Sequence, residues 1–463
     1  PWKQTRAPHT EGDQRMNTKL KRIRSMSKAN PKLQFTSVYH LVSDEEALRQ
    51  SFHELDGSKA VGVDRQTKES YAENLEENLR DLSDRLKRFG YKPKPARRVW
   101  IDKPGKAEKR PLAVSSFEDK IVQHALNRVL EAIFEPHFRR ESYGYRKGKS
   151  VVQCVDDIGR CIQKRKISWI LEADIRKFFD RMNHDWLLKF IQHRVADPRI
   201  SRLLIRLLRS GIMEDGLVSP NEDGAPQGSI LSPLLSNIYL HYVLDLWFEK
   251  AVKRRLDGEG WLFRYADDFI VCLQYQSEAE TLMTELKERL AKFSLHLAEE
   301  KTKLVGFGRF EAENAKRAKR KPGSFEFLGF RFVCGRTRKG YFKVKRRTSG
   351  KRLRESLKEL KYWLNKHKAT MRKGELIRAV VRKARGHLAH FAITDNLRQC
   401  TTYLYRAAKL LFMALSSKSQ RRPYTWKGFE DALRHNQWPK VKLVHRIDPM
   451  RKVWRQMPLN GGV

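Results

Sequence analysis

The sequence predicts an α+β fold. Helical segments alternate with short apolar β-type runs between residues 151 and 335, a hairpin-like stretch precedes them, and the pattern turns wholly helical after Lys343-Val-Lys-Arg-Arg347. At 463 residues the chain is about three times a ~150-residue domain, so two to four packed units are expected. No tandem repeat is visible.

Residues 1–33 are polar and basic with little periodicity, which predicts a flexible arm leading into helices over about 43–89. Arg98-Val-Trp-Ile101, the turn Asp102-Lys-Pro-Gly105 and Arg110-Pro-Leu-Ala-Val114 then read as a hairpin carrying basic side chains, with a helix after it over about 117–138. Four β-type runs follow at 167–175, 261–265, 269–273 and 325–332, and their interleaving with helices predicts helices packed on one face of a sheet. Beyond them Leu353, Leu357, Leu360 and Leu364 fall on one helical face, and two further helical stretches cover about 374–391 and 395–415. A domain boundary is expected near 340–350. Arg421-Arg-Pro423 reads as a linker before a last small, basic, Trp-containing segment.

Composition narrows the partners. The net charge of +42, from 96 Lys and Arg against 54 Asp and Glu, would repel the compact state unless a polyanion neutralised it, so nucleic acid is the natural ligand. No apolar run approaches membrane-spanning length and none forms a signal segment, so no membrane partner is expected. Five cysteines without a Cys-x-x-Cys pair argue against a disulfide scaffold or a zinc ribbon and suit free thiols in a reducing cytoplasm.

Three segments carry chemistry: Glu172-Ala-Asp174-Ile-Arg-Lys-Phe-Phe179-Asp180, Gly224-Ala-Pro-Gln227-Gly228-Ser-Ile-Leu-Ser-Pro233, and Arg264-Tyr265-Ala266-Asp267-Asp268-Phe269. The last lies between two apolar runs short enough to pair, which puts an acidic pair at a hairpin turn. Adjacent acids there repel one another and call for a cation. Phosphoryl transfer supplies one: two Mg²⁺ ions about 3.5–4 Å apart assist an in-line displacement at a nucleotide's α-phosphate. Hard carboxylate oxygens suit Mg²⁺, provided that Asp174 and Asp267 stand on neighbouring strands.

These segments resemble those of reverse transcriptases. Tyr265-Ala-Asp-Asp268 is similar to the family's catalytic box, Ala225-Pro-Gln-Gly228 to its nucleotide-side loop, and Asp174 with Phe178-Phe-Asp180 to its first catalytic motif. Lys103-Pro-Gly, Arg110-Pro-Leu112, Ser142-Tyr-Gly-Tyr-Arg146 and Phe327-Leu-Gly-Phe330 resemble bacterial group II intron reverse transcriptases in particular, of the type without an endonuclease. The resemblance is strong over about 40–335 and weaker through a helical, maturase-like region to about 447. It implies a right-hand polymerase: a basic arm (1–33), an N-terminal extension and fingers (34–150), a palm (151–342), a helical thumb (343–420) and a small basic nucleic-acid-binding segment (421–463).

The resemblance also implies roles. Asp174, Asp267 and Asp268 would be catalytic, and with Ile175 they would form the site of two Mg²⁺ ions, Asp268 being peripheral. Lys103 and Arg110 would clamp the triphosphate of an incoming dNTP. Gln227 would sit against the nucleotide, with Gly228 keeping the backbone close to it. Phe179 would close on the sugar and reject a 2′-hydroxyl, and Lys301 would help the leaving group. Tyr143 and Arg146 would contact the RNA template, while Lys345, Arg346, Arg347 and Trp426 would hold nucleic acid by backbone contacts and stacking. The expected partners are an RNA template, a structured intron RNA, a DNA primer or target and dNTPs, in a bacterial cytoplasm or on its nucleoid.

The sequence departs from many group II intron proteins in ending soon after His445 without Cys pairs, so target-strand cleavage is not expected. Two other readings stand beside the intron-bound polymerase. A non-catalytic RNA-binding splicing cofactor would not need three carboxylates. A host-adopted reverse transcriptase in phage defence, spacer acquisition or repair would carry the same residues.

Overall fold

A computed structural model of the chain describes residues 11–102, 109–221, 223–417 and 425–447. Its strands in chain order are β1 (Ala96–Asp102), β2 (Lys109–Val114), β3 (Trp169–Asp174), β4 (Ile212–Glu214), β5 (Leu217–Ser219), β6 (Gly260–Tyr265), β7 (Asp268–Leu273), β8 (Lys303–Gly306), β9 (Ser324–Phe327), β10 (Phe330–Arg336) and β11 (Phe342–Thr348). They form three sheets, ordered β2-β1-β4-β5, β6-β7-β3-β8 and β11-β10-β9.

Before the first sheet lies a helical layer, and here the expected flexible arm needs correction. Glu11–Ala29 is a helix. Met16, Ile23 and Ser27 are buried along one face of it, and the Ser27 hydroxyl donates to the Ile133 carbonyl at 2.7 Å and accepts from Arg194 at 2.9 Å. Lys21, Arg22, Arg24 and Lys28 occupy the exposed positions between. So thin an apolar stripe in a basic segment is hard to tell from a coil until its partner, the helix Phe117–Phe134, is in place. That helix starts as its sequence dictates: the Ser116 side chain accepts from the Asp119 N–H, which satisfies one of the donors orphaned at a helix start.

The expected basic hairpin is present as β1 and β2, with Ile101 opposite Arg110. The central sheet is antiparallel throughout. Its two faces feed different cores, because side chains alternate along a strand. Leu171, Ala173, Phe269 and Val271 join the core on the side where the helix Gln276–Ala291 packs on β3 and β7, while Ile170, Phe263, Ile270 and Cys272 join the core shared with the helix Val151–Lys164 and the third sheet. Both faces are therefore covered, not the one expected, which also explains why β7 reads as a continuous apolar run.

The run at 325–332 is not one strand. It folds back at Leu328 and Gly329, both with positive φ (51° and 81°), into the β9–β10 hairpin. Three long helices follow β11: Gly350–His367, Lys373–Phe391 and Leu397–Ser416. Leu360 and Leu364 are buried as the stripe implied, but in the same core as Phe325, Phe330 and Phe332, so one core crosses the boundary expected near 340–350. Phe429 and Leu433 bury a last helix, Trp426–His435, on the same core. Cys154, Cys161, Cys272, Cys334 and Cys400 are free thiols. Among the described residues no helix is long and apolar enough to cross a membrane.

Candidate active site

β3 ends at Asp174 and β7 begins at Asp268, and their antiparallel register sets these two residues opposite each other. Asp267 lies one residue earlier, in the turn between β6 and β7. The neighbouring-strand condition on Asp174 and Asp267 is thus met. The turn requires Ala266 to take φ +57°, a left-handed conformation costly for a residue with a Cβ.

What holds that turn is a fully buried arginine. Arg264 is 0% exposed. Its guanidinium donates to both carboxylate oxygens of Asp245 (2.8 and 2.6 Å), to the Asn237 side-chain oxygen (3.0 Å) and to the Ala266 carbonyl (3.0 Å). Asn237 donates in turn to the Gly144 carbonyl at 2.8 Å. The segment 142–144 lies along the end of β6, with the Tyr143 N–H donating to the Arg264 carbonyl at 2.8 Å. Gly144 comes so close to the turn that a Cβ on it would stand 2.3 Å from the Ala266 nitrogen, so no side chain fits.

The carboxylates crowd one another. Burial and the neighbouring Asp174 charge raise the Asp267 carboxyl above its usual range. Asp268, open to solvent on one side yet set in dense protein, is pushed up to about 7 by desolvation and then by Asp267 and Asp174. Lys301 bonds to Asp174, which raises the lysine's own pKa and keeps it protonated. The Lys301 turn is anchored to the same strand end, since the Ala298 N–H donates to the Asp174 carbonyl at 2.8 Å. Ile175 buries its side chain, so only its main chain faces the site.

A cleft of about 680 Å³ opens over these groups, lined by Arg110, Tyr145, Asp174, Ile175, Phe179, Gln227, Gly228, Asp267 and Lys301 among others. Phe179 is half-buried in the turn Phe178–Asp180, its ring edge-on to Phe178 at 5.4 Å between centroids. Gln227 reaches Asp180 at 3.4 Å. Gly228, at φ +114°, keeps the backbone close to β2: a Cβ there would stand 2.7 Å from the Ala113 carbonyl, and the Ala113 N–H donates to the Gln227 carbonyl at 2.7 Å. Glycine is thus required here by the close approach to β2. Lys103 lies outside the described residues.

The donors suit Mg²⁺ by their chemistry: three carboxylates, with Asp267 and Asp268 raised by burial and mutual repulsion that a cation would relieve. Among the described residues no group of three or more His, Cys, Asp or Glu is arranged to hold a metal ion by itself. An ion that keeps waters and takes substrate phosphates as ligands does not need one.

The nucleic-acid contacts expected from sequence are largely redistributed. Tyr143 is 1% exposed, and its hydroxyl donates to Asp157 at 2.6 Å. Arg146 is buried too, donating to Glu135 at 2.8–3.1 Å and to the carbonyls of Arg139 and Ser142 at 2.6 Å. Both fasten the 142–146 segment and neither reaches outward. On β11 the alternation of side chains splits the expected basic triplet: Arg346 turns inward toward Asp156, while Lys345 and Arg347 share the other face. Trp426 is 46% exposed and packs edgewise on Phe412. Sequence reasoning missed Arg264, Asp245, Asn237 and Tyr145 as site residues. The signal was a charged residue inside each of two apolar stretches, Trp261-Leu-Phe-Arg264 and Tyr242-Val-Leu-Asp245.

Strand-end and hairpin carboxylates thus stand at a cleft that also holds an arginine and an aromatic. The model of the family described as "Reverse transcriptase (RNA-dependent DNA polymerase)" matches residues 101–332, and the chain belongs to that family of RNA-directed DNA polymerases. Its kinship runs to intron-encoded members. The chain is 32% identical over 244 residues to the group II intron-encoded protein LtrA of Lactococcus lactis, covering 52% of this chain and 40% of that protein. It is 29% identical over 358 residues to protein YkfC of Escherichia coli, covering 70% of this chain and 90% of that one. An uncharacterized 91 kDa protein in the cob intron of Schizosaccharomyces pombe is 38% identical over 170 residues, 37% of this chain and 20% of that protein.

Proposed function

We propose that this chain extends a DNA strand on an RNA template by two-metal nucleotidyl transfer at Asp174 and Asp267, and that it works on and with a group II intron RNA in a bacterial cytoplasm. The observation that carries the first part is the register of β3 and β7, which sets Asp268 opposite Asp174 and leaves Asp174 and Asp267 together in the lining of the cleft. When bound, Mg²⁺ activates the primer's 3′-hydroxyl and steadies the departing pyrophosphate. Asp174 and Asp267 would hold the ions, Asp268 would add charge at the rim, and the Ile175 main chain would border the site. Arg110, with Lys103, grips the triphosphate. Phe179 and Gln227 receive the sugar and base, so that a 2′-hydroxyl meets the ring. Lys301, kept protonated beside Asp174, is the proton donor for the leaving group.

The intron-bound role is supported by the +42 charge and by the likeness to LtrA, whose name places it in a group II intron. The clustered carboxylates argue against a purely non-catalytic splicing cofactor, which would have no use for them. Asp267→Ala tests the site: primer extension on RNA with Mg²⁺ should fall by about a thousandfold or more, with RNA retention on filters nearly unchanged. Near-normal extension by the variant would refute the assignment.

A further inference from the structure

The 142–146 segment displays a second aromatic, Tyr145, whose setting differs in every respect from that of Tyr143. Its backbone is at φ +59°, a region that bulky side chains enter only under strain. Its ring is 54% exposed and lines the cleft together with Arg110, Phe179, Gln227 and Asp267. The hydroxyl makes no hydrogen bond to another described residue, and about half of the side chain stays open to the cleft.

Both neighbours lock this conformation. Gly144 abuts Ala266, the residue before Asp267, and the Arg146 guanidinium is held by Glu135 and two carbonyls. Ring and catalytic carboxylate are therefore carried on one rigid frame. Strain held at a half-open ring on the wall of a cleft points to a ligand. A flat ring beside a triphosphate grip and a sugar-facing phenylalanine suits the planar face of a nucleobase, which every base presents.

We propose that Tyr145 is a substrate-contacting residue whose ring stacks on the base pair formed between the template and the incoming nucleotide. This rests on the polymerase reading above and adds to it a binding surface for the base.

The test uses Tyr145→Gly and Tyr145→Phe in the full chain, with an RNA template, a DNA primer and each of the four dNTPs. Tyr145→Gly removes the ring and the backbone strain together, so its melting temperature should equal or exceed that of the wild type. Its KM for all four dNTPs should rise about ten- to a hundredfold, with an unchanged Kd for the primer–template duplex, and Tyr145→Phe should behave as wild type. An unchanged dNTP KM in Tyr145→Gly overturns the proposal. So does weakened binding of the duplex alone, which would move the ring out of the nucleotide site. A lowered melting temperature would make the ring a packing element, and equal impairment by Phe would move the role to the hydroxyl; either result overturns stacking. Wild-type extension in the same assay separates the two levels. If the wild type extends and Tyr145→Gly matches it, only this inference falls; if the wild type cannot extend, the polymerase reading falls and takes the inference with it.

Discussion

Asp245 is fully buried and Asp156 largely so, and both face arginines, Arg264 for the first and Arg160 with Arg346 for the second, yet their acidities move in opposite directions. Burial works against the charged form of Asp245, but the attraction and paired hydrogen bonds of Arg264 outweigh it and hold the carboxyl at about 2. At Asp156 burial prevails and the carboxyl rises, although Arg346 and Arg160 are both near. Geometry makes the difference. Arg264 meets Asp245 with two bonds at 2.6 and 2.8 Å and donates further to the Asn237 side chain and to the Ala266 carbonyl in the β6–β7 turn. Arg346 stands 3.5 Å from Asp156, and the Nε atoms of Arg346 and Arg160 are buried without a hydrogen-bond partner among the described residues. A buried ion pair organises a site only when its hydrogen bonds are complete.

The largest expected effect would break this contrast. Arg264→Met strands a buried carboxylate and should cost about 3–5 kcal/mol, whereas Arg346→Met leaves Arg160 on Asp156 at 2.5 Å and should cost about 1–2 kcal/mol. Urea unfolding midpoints measure both, and equal losses would erase the distinction. Acid adds a sign. The Asp245 contribution is intact above about pH 4 and declines as pH falls toward 2, while Asp156, raised in the folded state, is relieved by acidification.

A second prediction sharpens the comparison between residues that build the cleft and those that face it. Phe179→Val should raise ribonucleotide incorporation by about ten- to a thousandfold, or about 1.4–4 kcal/mol of lost discrimination, with a smaller loss of dNTP use. If Phe179 only fills the core, the change should instead cost about 2–4 kcal/mol of stability and leave sugar preference unchanged. Thermal melts run beside competitive rNTP and dNTP extension distinguish the two.

The smallest effect concerns the outer face of β11. Lys345→Glu with Arg347→Glu should flatten the logarithmic salt dependence of RNA binding by roughly 0.7–0.9 for each phosphate that these side chains neutralise. The buried Arg346 should contribute nothing to this slope. A slope unmoved by the double reversal would take nucleic acid away from this face.

The sequence by itself determined which segments become β3, β6 and β7, the carboxylates at their ends and the helices after β11, because short-range periodicity and turn composition carry that information. Motif spelling added Arg110, Phe179, Gln227 and Lys301, all of which line one cleft. Only the tertiary structure decided which polar side chains turn inward. Tyr143 is buried and Tyr145 exposed two residues on; Arg346 is buried between the outward Lys345 and Arg347. The helix Glu11–Ala29, the break at Leu328-Gly329 and the bond from Arg264 to Asp245 likewise depend on partners distant in the chain. A local pattern says that a charge or a ring sits among apolar neighbours. Whether burying it is tolerable depends on a counter-charge or carbonyl supplied from elsewhere in the fold, and that is settled only when the chain has closed on itself.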